Sequence, residues 1–222
     1  MKRLKSGIAA ALLVVTVGAA HAEDMTGLYF GGHLGSAQAS GDYMAYTPRN
    51  SYDGFDMQGL DGSALAGGVH AGYNWDQGAY LFGVEGTLTA FDINTLSTTS
   101  ELLGEGAEFG RSVGNMATLA PKLGIKLGNG LIYAKAGLAV GSIGATHDQN
   151  GEFLSGSATQ TGWMAGIGAE FPMAERLTMR VDYTYADFGL TRTDMFGDDA
   201  DIWVDQSISE GLLTVGFNYY FK

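Results

Sequence analysis

From Leu213 to Phe221 every second residue is large and apolar: Leu213, Val215, Phe217, Tyr219 and Phe221, with Thr214, Gly216, Asn218 and Tyr220 between them. Side chains alternate across a strand, so one face of such a segment is oily and the other small or polar. The same rhythm recurs along the chain. Leu28, Phe30, Gly32 and Leu34 oppose Tyr29, Gly31, His33 and Gly35. Leu65–Trp75 carries Leu65, Val69, Ala71, Tyr73 and Trp75 on one side, with His70 and Asn74 on the other. Tyr80, Phe82, Val84, Leu88 and Ala90 oppose Gly83, Glu85, Thr87 and Thr89. Ala117, Leu119, Pro121, Leu123, Ile125 and Leu127 oppose Met116, Thr118, Lys122 and Lys126. Ile132, Leu138 and Val140 oppose Tyr133 and Lys135, and Trp163, Ile167 and Phe171 oppose Met164 and Glu170. Leu177, Met179, Val181, Tyr183 and Tyr185 oppose Thr178, Arg180, Asp182 and Thr184.

That makes eight strands. The connections alternate between long and short. The long ones are Gln38–Gly62, Asp92–Arg111, Gly144–Gln160 and Asp187–Ser209; the short ones are Asp76–Gly78, Gly128–Gly130 and Pro172–Arg176. Oily faces, an even count and this asymmetry predict an all-β fold, an eight-stranded antiparallel transmembrane β-barrel. Short turns belong to its periplasmic side and long loops to the outside. Aromatics stand where membrane girdles belong: Tyr73, Trp75, Tyr80, Phe171, Tyr219 and Phe221 at the short turns, Trp163, Tyr183 and Tyr185 toward the long loops. Pro121 interrupts strand four and predicts a bulge or a lost ladder bond, since a closed barrel has no free edge for it. A soluble lipocalin-like carrier also has eight strands, but keeps apolar residues inside and polar ones outside. Lys and Glu on the faces opposite the aromatics favour the membrane.

The chain opens with Lys2, Arg3 and Lys5, an apolar run from Ile8 to Ala20, and Ala20-His21-Ala22. These are the parts of a signal peptide, predicted to span residues 1–22, with the barrel domain over residues 23–222. Beyond Ala22 no apolar run reaches the ~18–20 residues of a spanning helix. Without the three leader cations, 9 basic residues face 24 acidic ones, a net charge of −15. That argues against nucleic-acid binding. There is no Cys, which excludes thiol catalysis and thiolate metal sites. Thirty-five Gly against three Pro, spread through the strands, suit a narrow and strongly coiled barrel.

The inward positions gather His33, His70, Glu85, Lys122, Lys126, Lys135, Glu170, Arg180 and Asp182. Four cations and three anions nearly cancel, which predicts a salt-bridged polar interior, because a buried ion without a partner is costly. A selective ion path through the same residues is the competing reading. No nucleophile–base–acid set stands beside the histidines, and His147 with Asp148 is an ordinary polar pair, so no enzyme and no cofactor are expected. Asp42, Asp53, Asp56 and Asp61 in the first long segment, and Asp194, Asp198, Asp199, Asp201 and Asp205 in the last, read as solvated charge. Bridging through divalent cations to phosphorylated outer-leaflet lipid is the functional alternative. Phe196, Ile202 and Trp203 among the last acids offer a contact surface for a host or surface partner.

The segments GLYFGGHLG (Gly27–Gly35), GGVHAGYNW (Gly67–Trp75), YLFGVEG (Tyr80–Gly86), LIYAKAGLAVG (Leu131–Gly141), TGWMAGIGAEF (Thr161–Phe171), VDYTYADFG (Val181–Gly189) and VGFNYYF (Val215–Phe221) resemble the proteobacterial small outer-membrane β-barrel family, the opacity-like and porin-family surface antigens. The resemblance covers nearly all of the chain after the leader. It implies a cell outer membrane location, contact with lipopolysaccharide, and a terminal strand (Val215, Phe217, Tyr219, Phe221) read by the barrel-assembly machinery. Lys222 departs from the family's terminal aromatic. The implied role is structural or surface-interactive, with a small porin-like channel as the alternative.

Overall fold

The computed structural model describes residues 24–46, 55–57, 62–98, 108–149, 152–194 and 203–221. The proposed leader therefore lies outside the described residues, as do Asp53, Asp61, Phe196, Asp198, Asp199, Asp201, Ile202 and Lys222. Eight long strands run β1 (Gly27–Tyr46), β3 (Gly62–Asp76), β4 (Tyr80–Thr98), β5 (Glu108–Leu127), β6 (Gly130–Gln149), β7 (Glu152–Ala174), β8 (Leu177–Asp194) and β9 (Trp203–Phe221); β2 (Phe55–Met57) is a three-residue strand on β1. Every neighbour pair is antiparallel, and β9 pairs back onto β1, closing the sheet.

The register fixes the shape. Gly27 pairs with Asn74, and the line continues through Gly83, Lys122, Lys135, Gly166, Thr184 and Leu212 to Ala37. One circuit thus climbs ten residues, 37 − 27 = 10. With ~3.3 Å per residue and ~4.8 Å between strands, eight strands at that stagger tilt by about 40° and enclose a radius of about 8 Å. Such a lumen is one that side chains fill.

The faces alternate as the sequence predicts. Leu28, Phe30, Leu34, Phe82, Val84, Leu88, Leu119, Leu123, Ile125, Leu138 and Ile167 are exposed on the outside, while Tyr29, His33, Leu81, Glu85, Lys122 and Lys135 are buried inside. From Tyr80 to Ala90 the outward side of β4 carries no charge; ten steps at this tilt span about 25 Å, the height of a barrel's apolar band.

The long connections are shorter than the sequence suggests. β1 continues to Tyr46, β4 to Thr98, β6 to Gln149 and β8 to Asp194; β5, β7 and β9 begin again at Glu108, Glu152 and Trp203. Asp42, Asp56, Asp194, Trp203 and Asp205 therefore belong to strands rather than loops. Ladder bonds tolerate polar side chains, so composition marks where the membrane ends, not where pairing ends. Eight further residues of β4 beyond Ala90 carry the wall about 20 Å past the apolar band. The last short turn is also tighter than expected: Pro172–Ala174 stays in β7, leaving Glu175 and Arg176 between the strands.

Pro121 produces the second of its two expected effects. It pairs with Val84 on β4, but the β5–β6 ladder skips from Leu119–Leu138 to Lys122–Lys135 with no change of register. A ladder bond is lost there without a bulge. The β5 bulge lies higher, between Gly114 and Met116, where Asn115 takes a φ of 47°.

Candidate functional site: a charged network between two apolar tiers

The lumen is layered. Next to the short turns, Met25, Tyr29, Leu81, Leu131, Tyr133 and Tyr220 form one buried cluster. Toward the long-loop end, Phe91, Ile93, Met116, Met164, Phe188, Ile208 and Leu212, with inward alanines, form another. Between them lies the charge.

Glu85 on β4 accepts hydrogen bonds from Tyr29 Oη (2.7 Å), Lys135 Nζ (2.9 Å), and Arg180 Nη1 and Nη2 (2.6 and 3.0 Å). Arg180 on β8 turns its remaining edge to Asp182, donating from Nε at 2.5 Å and Nη2 at 2.9 Å. A planar guanidinium satisfies two carboxylates at once because its donors form a rigid fork. Asp182 also accepts from Tyr133 Oη at 2.8 Å and lies 3.3 Å from Lys135 Nζ. Gly72 and Gly168 are required here: a Cβ on either would occupy the space of the Tyr29 or Tyr133 phenol.

Lys122 is wholly buried on β5. Its ammonium donates to Tyr29 Oη at 3.1 Å and sits 4.0 Å from Glu85 and 3.9 Å from Glu170. The Tyr29 and Tyr133 rings flank it at 4.7 and 4.8 Å, supplying cation–π contact to the buried ammonium. Glu170 on β7 accepts at Oε1 from Thr178 (2.6 Å), Asn218 (2.8 Å) and Tyr220 (2.8 Å). Three cations and three carboxylates thus meet in one neutral network.

Lys126 is not among them. One residue from the end of β5, it reaches the periplasmic mouth and pairs with Asp76. Asp76 also accepts from the N–H groups of Met25 (3.0 Å) and Gly78 (2.8 Å), and its own N–H donates to Thr26 Oγ1 at 3.1 Å. Burial opposes ionisation of Asp76, but the Lys126 ammonium and the two N–H groups outweigh it and hold the carboxyl below the ordinary range. This contact ties the segment before β1 to the β3–β4 turn, with the Met25 side chain closing the base.

His33 and His70 face each other from β1 and β3, rings stacked, Nδ1 to Nδ1 at 3.2 Å. His33 Nε2 lies 3.0 Å from Thr89 Oγ1, and His70 Nε2 lies 2.5 Å from Asn218 Oδ1. Hydroxyl, base and orienting group in this order resemble a nucleophile set. The cavity beside them, though, is only about 20 Å³, walled by Met116 and Leu212, which is room for one water and no substrate.

Several network members escape a search for charges alone: Tyr29, Asn74, Thr89, Tyr133, Asn218 and Tyr220. Their signal is inward parity in strands whose register is known. The inward Phe91, Ile93, Phe188 and Ile208 lie at the edges of, or within, stretches whose polarity suggests loop, so the upper tier has only the continuing alternation to announce it.

The model of the outer membrane protein beta-barrel domain matches residues 7–221. This chain belongs to that family. The outer-membrane barrel is 28% identical over 155 residues to a 22 kDa outer membrane protein of Rhizobium leguminosarum, covering 64% of this chain and 66% of that one. It is 27% identical over 209 residues to a 31 kDa outer-membrane immunogenic protein of Brucella melitensis, covering 86% and 83%. Among solved structures, the outer membrane protein OprG of Pseudomonas aeruginosa aligns with a TM-score of 0.55 at 16% identity, over 91% of this barrel and 99% of that chain. The outer membrane protease OmpT of Escherichia coli aligns with a TM-score of 0.54 at 9% identity, over 88% and 97%. At these identities both likenesses concern the fold alone. The family and its relatives place the barrel in the outer membrane.

Proposed function

We propose that this outer-membrane barrel is a solute-tight, non-catalytic envelope protein that serves as a structural element and raises its strand wall and loops above the membrane for surface contact. The observation that carries this reading is the filled lumen: a neutral charge network sealed above and below by apolar side chains. An ion crossing it would have to displace paired charges and two desolvated tiers, and the cavity beside the histidines holds about 20 Å³. The same confinement speaks against turnover at Thr89 and His33. Its partners on this reading are outer-leaflet lipid and lipopolysaccharide, the barrel-assembly machinery acting on Val215–Phe221, and a host or surface partner at the long-loop end.

Single-channel recording on the refolded barrel in planar bilayers tests it. The expected trace is a quiet baseline under applied voltage. Large, persistent open-state steps would overturn the proposal in favour of a porin-like channel.

A further inference from the structure

A run of hydrogen bonds crosses the lumen from the cavity to Glu170, and its direction is set by the atoms that can only accept. Glu170 Oε1 accepts three hydrogens, one of them from Asn218 Nδ2. The Asn218 amide therefore turns its nitrogen to Glu170 and its oxygen to His70. His70 Nε2, facing that oxygen, must carry a hydrogen. In a neutral ring this leaves His70 Nδ1 a bare acceptor, so the hydrogen in the 3.2 Å gap belongs to His33 Nδ1. His33 Nε2 is then the acceptor, and the Thr89 hydroxyl donates to it. The two rings hold opposite tautomers.

We infer that the His33–His70 pair is a one-proton receptor within the barrel, through which acidification reversibly loosens the lumen network. The proton binds the His33 Nε2 lone pair. The Thr89 hydroxyl turns from donor to acceptor, and its hydrogen swings toward the cavity it shares with Thr87, whose Oγ1 has no hydrogen-bond partner among the described residues. No hydrogen bond of the pair is lost. A second proton has only His70 Nδ1 left, and there it would confront the N–H of His33 across the same gap. The pair accepts one and refuses two.

The surroundings decide the consequence. Facing the pair are Tyr29 from β1, Lys135 from β6, and Arg180 and Asp182 from β8, with Glu85 from β4, Lys122 from β5 and Glu170 from β7 in the same network; β9 supplies Asn218 and, in the tier above, Glu210. Glu85 and Asp182 already hold Lys135 and Arg180 between them, and Glu170 lies nearest Lys122. Within that network the added charge finds no carboxylate that is not already engaged by a cation, so it makes the neutral network positive. In the unfolded chain the same imidazole is charged in water at little cost.

The test is ring ¹⁵N NMR on the barrel refolded in phosphocholine micelles, with His21 and His147 replaced by Asn to leave the two signals of the pair. Near neutral pH, His33 is expected protonated at Nδ1 and His70 at Nε2, with a ¹⁵N–¹⁵N coupling through the shared hydrogen. Acid titration of the folded barrel is expected to add one proton to the pair. Identical tautomers, absence of the coupling, or uptake of two protons would overturn the inference. Thr89→Val removes the acceptor that the charged ring needs, and should weaken proton binding about tenfold, a midpoint about one pH unit lower. An unmoved midpoint refutes the mechanism. Should that variant not fold, the tautomer and coupling readings on the parent chain decide.

Discussion

Glu85→Gln is the substitution that probes the lumen most severely. The change keeps the volume and removes one charge. Around that carboxylate converge Tyr29, Lys135 and both terminal nitrogens of Arg180, with Lys122 at 4.0 Å. Glutamine offers one oxygen to these donors and turns an amide N–H₂ toward the rest, so donor meets donor. The network also passes from three anions against three cations to two against three. Leaving one buried charge unmatched typically costs about 3–5 kcal/mol. Set against the ~5–15 kcal/mol that holds a domain of this size together, that loss is large. With a urea slope of about 2 kcal/mol per molar, the unfolding midpoint in lipid vesicles should fall by about 2 M. Combining Glu85→Gln with Lys135→Met restores neutrality and removes one of the stranded donors. The pair should recover at least half of the loss, a coupling far outside the ~0.5 kcal/mol expected of independent sites. A midpoint shift below about 0.5 M for Glu85→Gln, or strictly additive losses in the double variant, would refute the idea that charge balance holds the lumen.

Other expectations follow from the same geometry. Val84→Arg and Leu123→Arg put a cation on the lipid face near the middle of the band and should each cost about 2–4 kcal/mol by equilibrium unfolding. Gly168→Val drives a methyl into the space of the Tyr133 phenol and should destabilise the barrel by about 1–3 kcal/mol, seen as a lower urea midpoint. Asp76→Asn should leave the barrel folded while the Met25 amide exchanges its hydrogen faster, because the latch to Lys126 is gone. Since folding depresses the Asp76 ionisation, the latch contributes fully above the carboxyl's unfolded range and is lost as pH falls through the folded one. Met25 exchange should therefore accelerate relative to the strand amides only in strongly acidic buffer.

Eight strands, their faces and their order are legible in the sequence because lipid imposes a period of two and leaves the backbone no alternative to closure. The ends of the strands are not. Asp42, Asp194 and Asp205 pair their backbones as well as any valine does, yet their side chains read as loop. The charged residues of the lumen are likewise visible by parity, but parity cannot give height. Lys126 shares its face with Lys122 and differs only in standing four residues nearer the turn, which moves it from the network to the mouth. The stagger of ten residues, set by register, brings Glu85 of β4 within reach of Arg180 of β8 across the lumen, and no local pattern encodes that.

Alternation against lipid can be read directly along β4. The chain has no native Cys, so single cysteines from Tyr80 to Thr89 can each carry a nitroxide in reconstituted vesicles. Oxygen accessibility should be high at 80, 82, 84, 86 and 88 and low at 81, 83, 85, 87 and 89, with a water-soluble nickel reagent excluded near Val84. A profile without that two-residue period, or nickel access at Val84 as free as in solution, would contradict the assignment of this wall to the bilayer.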